Sequence, residues 1–477
     1  MWSTLPLLWK SLQQRAVLWN SPQRIRAIQE RRLRALVARA RKHSPYYAER
    51  LRHIDPRRFA LRDLPTVTKA DMMRHFDRFV TDRRLKLADL ERFIQDPARL
   101  GQWYLGRYAV SHTSGTQGQK AVIVQDRSMT ELLFALQMLR GSVLTVSPLE
   151  FLQRLFQRNR LAAVTIGQGF YPSAVALAYA PPAADVLVQR LWIKRIEPLS
   201  EVVEKLNRFQ PHVLLAYANV LEMLSHEEQA DRLRLARPGA LRQIMNMSEP
   251  LPTGAQEAIR KAFGIALTDN YGMGECLALS AGCPQGHGMH LNADWAILEV
   301  VDRQHHPVPP GQPGEKVLLT NLYNAVQPFI RYEVTDVVTM SPAPCPCGSP
   351  LPLIASVAGR TDEVVWIQDG EQYRQVHPYV FVDILDRVPE VGLYQVRQVE
   401  RNRFVVQAAP APGRTLLREP LERALARGLE EFELTELLDL EVVVNADLAP
   451  DPKSGKLKRI VSDVARPDMD EARLAAR

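Results

Sequence analysis

The sequence predicts a mixed α/β protein: a large N-terminal α/β domain over residues 1–358 and a small C-terminal α+β domain over 359–477. Three observations carry this expectation. The chain has 477 residues, enough for two or more hydrophobic cores. Short apolar runs such as AVIVQ from 121 and VLLAY from 213 have the length and β-branched content of buried strands. From residue 362 onward, strand-like segments crowd around a single helical stretch, which is an α+β pattern.

The elements follow in order. Residues 25–42 place Ile25, Ile28, Leu36, Val37 and Ala40 near one helical face, with arginines around the rest as a solvated face. That helix is expected to stop before SPYY, because a proline disfavours helical backbone in the residue ahead of it. ILEVV from 297 and EKVLLTNL from 315 flank the turn-rich PVPPGQPG and read as a hairpin. DEVVWIQDGEQY from 362 carries a second hairpin signal, with Asp369-Gly370 at the turn. Further strands follow through residue 409, then a helix near 415–431 and the strand DLEVVVN.

Apolar residues make up 46% and charged residues 24%, the balance of an ordinary globular protein. The 61 Lys and Arg against 53 Asp and Glu leave a net charge of +8, which favours anionic ligands. No basic cluster is interleaved with aromatics, so nucleic acid is not the expected partner. The opening MWSTLPLLWKSLQQRAVLW is interrupted by Lys10, Gln13, Gln14 and Arg15 and is too polar to span a bilayer. It reads as an amphipathic helix on the protein's own surface, with peripheral membrane contact as the alternative. A cytoplasmic location is expected.

Residues 111–122, SHTSGTQGQKAV, combine hydroxyls, two glycines and a lysine. Glycines let backbone N–H groups approach an anion closely, and the hydroxyls and Lys120 add donors and charge, a composition suited to phosphate. Further polar stretches lie downstream: MNMSEPL from 245, DNYGMGEC from 269, FIRYEVTDVV from 329, GRTDEVV from 359 and SGKLKR from 454. Their order and spacing resemble the adenylate-forming superfamily, and within it the branch of phenylacetate–CoA ligases and related capsule-biosynthesis adenylate-formers. The resemblance runs from about residue 43 to 459, with departures at Gln117 and Gly274, where the family has hydroxyl residues.

That resemblance implies an ATP-dependent acyl- or aryl-CoA ligase, the N-terminal domain being the adenylation domain and the C-terminal one mobile. It implies that Thr113, Ser114, Gly115, Thr116 and Gly118 cradle the ATP phosphates. Glu275 holds Mg²⁺, a hard ion that takes oxygen ligands. Lys456 stabilises charge developing between carboxylate and α-phosphate. Asp336 binds the ribose, Ser248, Glu249 and Pro250 form the adenine-side loop, and Tyr271 with Gly272 lies against the base. Arg331 and Arg360 sit beside the nucleotide, and the C-terminal domain turns about Asp362 between half-reactions. Phe170, Tyr171 and Tyr217 are candidates for the acyl pocket, or core aromatics. The partners are a carboxylic acid, ATP and CoA, and a homodimer is compatible with the resemblance. Two alternatives stand beside it: transfer to a carrier protein, amine or alcohol, and a homologue that binds nucleotide but has lost the chemistry.

All four cysteines, Cys276, Cys283, Cys345 and Cys347, lie in the second half of the chain. Such clustering in a cytoplasmic chain points to metal more than to disulfides. Some members of the resembled branch carry a Cys, a His and a Cys-x-Cys pair around zinc. On that pattern Cys283, His290, Cys345 and Cys347 form a closed structural Zn²⁺ site, with His287 competing for the place of His290.

Overall fold

The computed structural model describes residues 13–14, 17–113, 120–140, 159–165, 169–182, 185, 188–194, 197, 199–236, 241–247, 253–265, 267–360, 365–370, 372–376, 379–386, 388–411, 413–431, 434–448, 457 and 459–464. The chain divides into two compact units. The first comprises Met1–Glu249, Arg260–Val334 and Val338–Val357; the second comprises Pro250–Ile259, Thr335–Val337 and Ala358–Arg477.

The first long helix, α1, spans Pro22–His43. Ser21 caps it by accepting from Arg24 N, and Pro22 supplies the fixed φ of a first helical turn. Its buried residues are Ile25, Leu33, Leu36, Val37 and Ala40. The expected stop holds: α1 ends at His43, and Ser44 caps the next helix, α2 (Pro45–Arg50). A short helix, α3 (Lys69–Arg74), is capped by Thr68.

Strands β1 (Tyr108–His112) and β2 (Val122–Asp126) pair antiparallel. Five strands then form one parallel sheet: β3 (Asn159–Thr165), β4 (Val188–Lys194), β5 (Val213–Ala216), β6 (Gln243–Met247) and β7 (Leu267–Asn270), in the order β4-β3-β5-β6-β7. Parallel neighbours need crossover connections, and helices Leu199–Phe209, Ala218–Gln229 and Thr253–Phe263 supply them. The short strands β8 (Ser280–Gly282) and β9 (Met289–Leu291) follow. Next come β10 (Ala296–Val301) and β11 (Lys316–Asn321), the antiparallel hairpin expected there, with β12 (Tyr332–Val334) beside β11. Strands β13 (Asp336–Met340) and β14 (Leu353–Arg360) complete this part of the chain, and β9 pairs with both β8 and β14.

The second unit opens on the hairpin β15 (Val365–Asp369) and β16 (Gln372–Val376), turned at Gly370 with φ +61, which a side chain would resist. Its sheet runs β19-β18-β17-β20, from β17 (Val391–Gln398), β18 (Arg403–Pro410), β19 (Asp439–Val444) and β20 (Ile460–Ser462). Helices Tyr379–Asp386 and Arg418–Glu431 bury Phe381, Leu421 and Leu425 against Tyr394 and Phe404 of this sheet.

Candidate nucleotide and metal sites

The loop that follows β7 is built by close approach. A Cβ on Gly272 would lie 2.8 Å from the Leu277 carbonyl oxygen, so only glycine fits. Met273 and Cys276 exchange backbone hydrogen bonds of 3.3 and 2.9 Å, closing a tight turn around Glu275. Glu275 is 8% exposed, and its Oε1 accepts from the Tyr332 hydroxyl at 3.0 Å. A Cβ on Gly274 would meet Pro172 Cγ at 3.2 Å and Thr113 Cγ2 at 3.4 Å. The missing side chain therefore lets this turn press against Thr113, and the departure from the hydroxyl pattern is a packing solution.

Thr113 anchors the start of the glycine-rich loop. Its N–H donates to Ala121 O at 2.9 Å and its Oγ1 accepts from Ala121 N at 3.0 Å, which pins the two ends of the loop together. Lys69 Nζ donates to the same Oγ1 at 3.4 Å. Sequence reasoning missed Lys69. It lies in TVTKADMM, more than forty positions before the loop, and nothing but a helix-capping threonine marks it there.

A buried amide ladder supports the turn from behind. Asn321, Asn324 and Gln327 are all fully buried. Asn321 donates to Glu275 O at 2.7 Å, while its Oδ1 accepts from the backbone N–H groups of Tyr323 and Asn324. Asn324 donates to Val124 O at 3.1 Å and accepts from Val326 and Gln327 N–H. Gln327 accepts from Val124 N at 2.9 Å and donates to Val122 O at 3.0 Å. Every link pairs a donor with an acceptor, so the ladder is satisfied without solvent. It ties the backbone of Glu275 to β2, the strand that leaves the glycine-rich loop.

The remaining candidates fall as follows. Tyr271 is 8% exposed and belongs to the hydrophobic core of the first unit. Beside it, burial pushes the Asp269 carboxyl up to about 6, against hydrogen bonds from Asn246 and the Asn270 N–H. Asp336, 6% exposed, opens β13. Arg331 departs from the expected nucleotide contact. Its guanidinium grips Glu299 at 3.0 and 3.1 Å and donates to the carbonyls of Arg62 and Leu64 at 3.2 and 2.8 Å. Four such bonds on a buried guanidinium make it a structural cation. Phe170 packs at 5.6 Å from Phe93 and is wholly buried, and Tyr217 is 1% exposed, so both are core aromatics here. Ser114, Gly115, Thr116, Gly118, Ser248, Glu249, Pro250, Asp362 and Lys456 lie outside the described residues, as does the side chain of Arg360.

The cysteine–histidine set converges from three segments. Cys283 follows β8, His290 sits in β9, and Cys345 and Cys347 lie on the turn before β14. Their ligand atoms all lie within 4.8 Å of one another. Cys283 Sγ is 3.7 Å from Cys345 Sγ, and Cys347 Sγ is 3.2 Å from His290 Nε2. All four cysteines of the chain are free thiols. A tetrahedral ion with metal–sulfur bonds of about 2.3 Å holds its sulfurs roughly 3.8 Å apart, so the donor set fits zinc. Burial, with Cys345 and Cys283 close by, pushes the Cys347 thiol up to about 12. Burial also lowers the pKa of His290, which favours the neutral imidazole that ligates metals. His287 is exposed, paired with Gln285 Oε1 at 3.2 Å, and stands outside the cluster.

Residues 107–320 match the profile of the AMP-binding enzyme family. The chain is 25% identical over 384 residues to a phenylacetate–coenzyme A ligase of Thermus thermophilus, covering 77% of each chain. Among solved structures, a 2-hydroxyisobutyryl-CoA ligase in the postadenylation state with R3-HIB-AMP shares the fold, with a TM-score of 0.65 and 19% identity over 95% of this chain and 91% of that one. An open conformation of that ligase with 2-HIB-AMP and CoA gives a TM-score of 0.58 at 20% identity, covering 92% of each chain. Over residues 107–320 the chain is thus similar to AMP-binding enzymes, and over most of its length it resembles a phenylacetate–coenzyme A ligase in sequence and a 2-hydroxyisobutyryl-CoA ligase in fold.

Proposed function

We propose that the chain is an ATP-dependent, AMP-forming carboxylate ligase that activates an acid as its acyl-adenylate and passes the acyl group to CoA. One observation supports this most directly. The turn holding Glu275 packs against Thr113, and Lys69 donates to that same threonine, so one residue at the start of the glycine-rich loop is met by an acid-bearing turn and a lysine that are far apart in sequence.

The chemistry follows from charge. A carboxylate is a poor electrophile because oxide is a poor leaving group. Attack of its oxygen on the α-phosphate of ATP expels pyrophosphate and leaves a mixed anhydride whose leaving group is AMP. Two anions meet in that step, so the site must supply positive charge. In this reading Glu275 would hold Mg²⁺ beside the phosphates, where the ion would supply positive charge. Lys69 and the loop 113–118 bind phosphate oxygens, Asp336 the ribose hydroxyls, and Lys456 stabilises the developing charge of the first half-reaction. The small C-terminal domain, residues 359–477, delivers Lys456 and withdraws it for the second. Cys283, His290, Cys345 and Cys347 hold a structural zinc with no open position. We place the enzyme in the cytoplasm.

Acid-dependent release of pyrophosphate from ATP, measured over a panel of aryl and aliphatic carboxylic acids, tests the first half. Appearance of a thioester on adding CoA tests the second. No release with any acid would leave a nucleotide-binding homologue, and release without thioester would leave a different acceptor. Lys456→Ala should slow adenylate formation by about 10²-fold or more. It should spare thioester formation from supplied acyl-adenylate; equal wild-type rates in both halves would remove Lys456 from the mechanism.

A further inference from the structure

The positive charge of this chain is concentrated in one place. Residues 24–62 contain thirteen Lys and Arg against three Asp and Glu, a net of +10, whereas the whole chain carries +8. The remainder of the protein is therefore slightly acidic, and the basic excess belongs to α1 and the segment after it.

The fold gathers that excess on one exposed surface. At 3.6 residues per turn, Arg24, Arg31 and Lys42 lie within roughly 20° of one another around α1, and Arg39 lies about 60° away. All four are exposed, opposite the buried Leu33, Leu36 and Ala40. Two further arginines of α1 serve as tethers. Arg41 donates to Ile54 O at 2.7 Å, and Arg34 donates to Arg57 O with its guanidinium 5.6 Å from the Phe59 ring. These bonds hold the segment that carries Arg52, Arg57 and Arg58, all exposed, alongside the helix. The basic residues nearby that are neutralised are others: Arg50 pairs with Asp71 at 3.4 Å and Arg78 with Glu49 at 2.8 Å. The side chains of Arg24, Arg31, Arg39, Lys42, Arg52, Arg57 and Arg58 form no ion pair with a carboxylate among the described residues; the nearby Asp55 accepts from the Arg57 backbone N–H at 2.9 Å. Concentrating so much unpaired like charge costs self-repulsion, which an anionic partner relieves.

We infer that this face docks on an anionic lipid surface. α1 is about 33 Å long and sinks one side into the core along its whole length, so it offers a long, flat stripe of cations. The stripe lacks the exposed aromatics on which single-stranded bases stack. A planar array of lipid phosphates suits it: each basic side chain near such a surface adds attraction, and its long apolar stem reaches the interface.

The test is sedimentation of the full chain with vesicles of phosphatidylcholine alone and of phosphatidylcholine with about a third phosphatidylglycerol, at low and high salt. The expected result is binding to the anionic vesicles only, reversed by salt. The variant carrying Arg24→Glu, Arg31→Glu, Arg39→Glu and Lys42→Glu should partition at least about 100-fold less. Its melting temperature and acid-dependent pyrophosphate release should be unchanged. The same four positions changed to Gln should give an intermediate loss, and that set replaces the first should the reversal lower the melting temperature. Equal binding to both vesicle types, no binding to either, an unchanged partition in the variants, or tighter binding to duplex nucleic acid than to anionic vesicles at the same salt would each overturn the proposal.

Discussion

The cysteine–histidine cluster and the turn around Glu275 are both buried gatherings of polar atoms, and they are balanced in opposite ways. Around Glu275, donors and acceptors alternate: the Tyr332 hydroxyl meets the carboxylate, and Asn321, Asn324 and Gln327 pair each amide with backbone. In the cluster, three sulfurs and an imidazole nitrogen face one another within 4.8 Å, all of them electron-pair donors towards a cation. The amide ladder is complete from the chain's own atoms and fixes geometry. On the proposed reading a zinc ion fills the centre of the cluster, and part of the folding energy there would come from the metal.

Four experiments sharpen or break this contrast. The largest effect is expected from Glu275→Ala. Acid-dependent pyrophosphate release should fall on the order of 10³-fold, the upper range for losing one preorganised polar contact. The fold should survive, because the ladder reaches Glu275 through its backbone carbonyl. A variant with near-normal release would show that the turn is only structural.

Next comes Cys345→Ser. Protein purified without chelator should contain about one zinc per chain, and the variant should lose it and melt roughly 5–10 °C lower. A metal-free wild-type protein, by elemental analysis, would mean that the donors gather without a cation and the contrast fails.

Asn324→Ala tests the self-satisfied side. It strands the Val124 carbonyl and the N–H groups of Val326 and Gln327 in a dry interior, at a cost of about 2–3 kcal/mol in denaturant unfolding. Metal content should not change. A loss of zinc in this variant would show that the two regions are not independent.

The smallest effect concerns pH. Burial raises the Asp269 carboxyl to about 6, above the usual carboxylate value near 4. Below that usual value both folded and unfolded chains hold the proton and nothing is lost. As pH rises through about 4 to 6 the unfolded chain ionises first, and stability falls. Asp269→Asn should flatten the fall in stability over that window. An unchanged pH profile of unfolding would show that this carboxyl does not carry the slope.

Local signals were legible along most of the chain. The 25–42 helix, its stop before Ser44, the 297/315 and 362 hairpins and the C-terminal helix all appear as read, because spacing, capping and turn residues act over a few positions. The glycines of DNYGMGEC were read as part of a binding motif, and the structure adds their steric reason at Leu277, Pro172 and Thr113. The ion pair of Arg331 was not legible, because its partner Glu299 lies 32 residues earlier in the chain. The ladder went unnoticed: NLYNAVQP reads as an ordinary loop until Asn324 and Gln327 meet β2, 200 and 203 residues away.

By itself the sequence determined the residue chemistry: a glycine-rich loop with hydroxyls and a lysine, an acid in a tight glycine turn, thiols and histidines in number for one metal ion, and +10 of charge in a single stretch of 39 residues. Tertiary structure decided which of those groups meet. It set His290 among the thiols and left His287 in solvent, although both lie within seven residues of Cys283. The reason is the element each occupies. His290 lies in β9, whose pairing with β8 and β14 sets it beside the cysteine turn, whereas His287 lies in the exposed turn between β8 and β9. It brought Lys69 to Thr113 and gave Arg331 to Glu299 by the same means, because partners distant in the chain are chosen by the packing of whole elements and not by their neighbours in sequence.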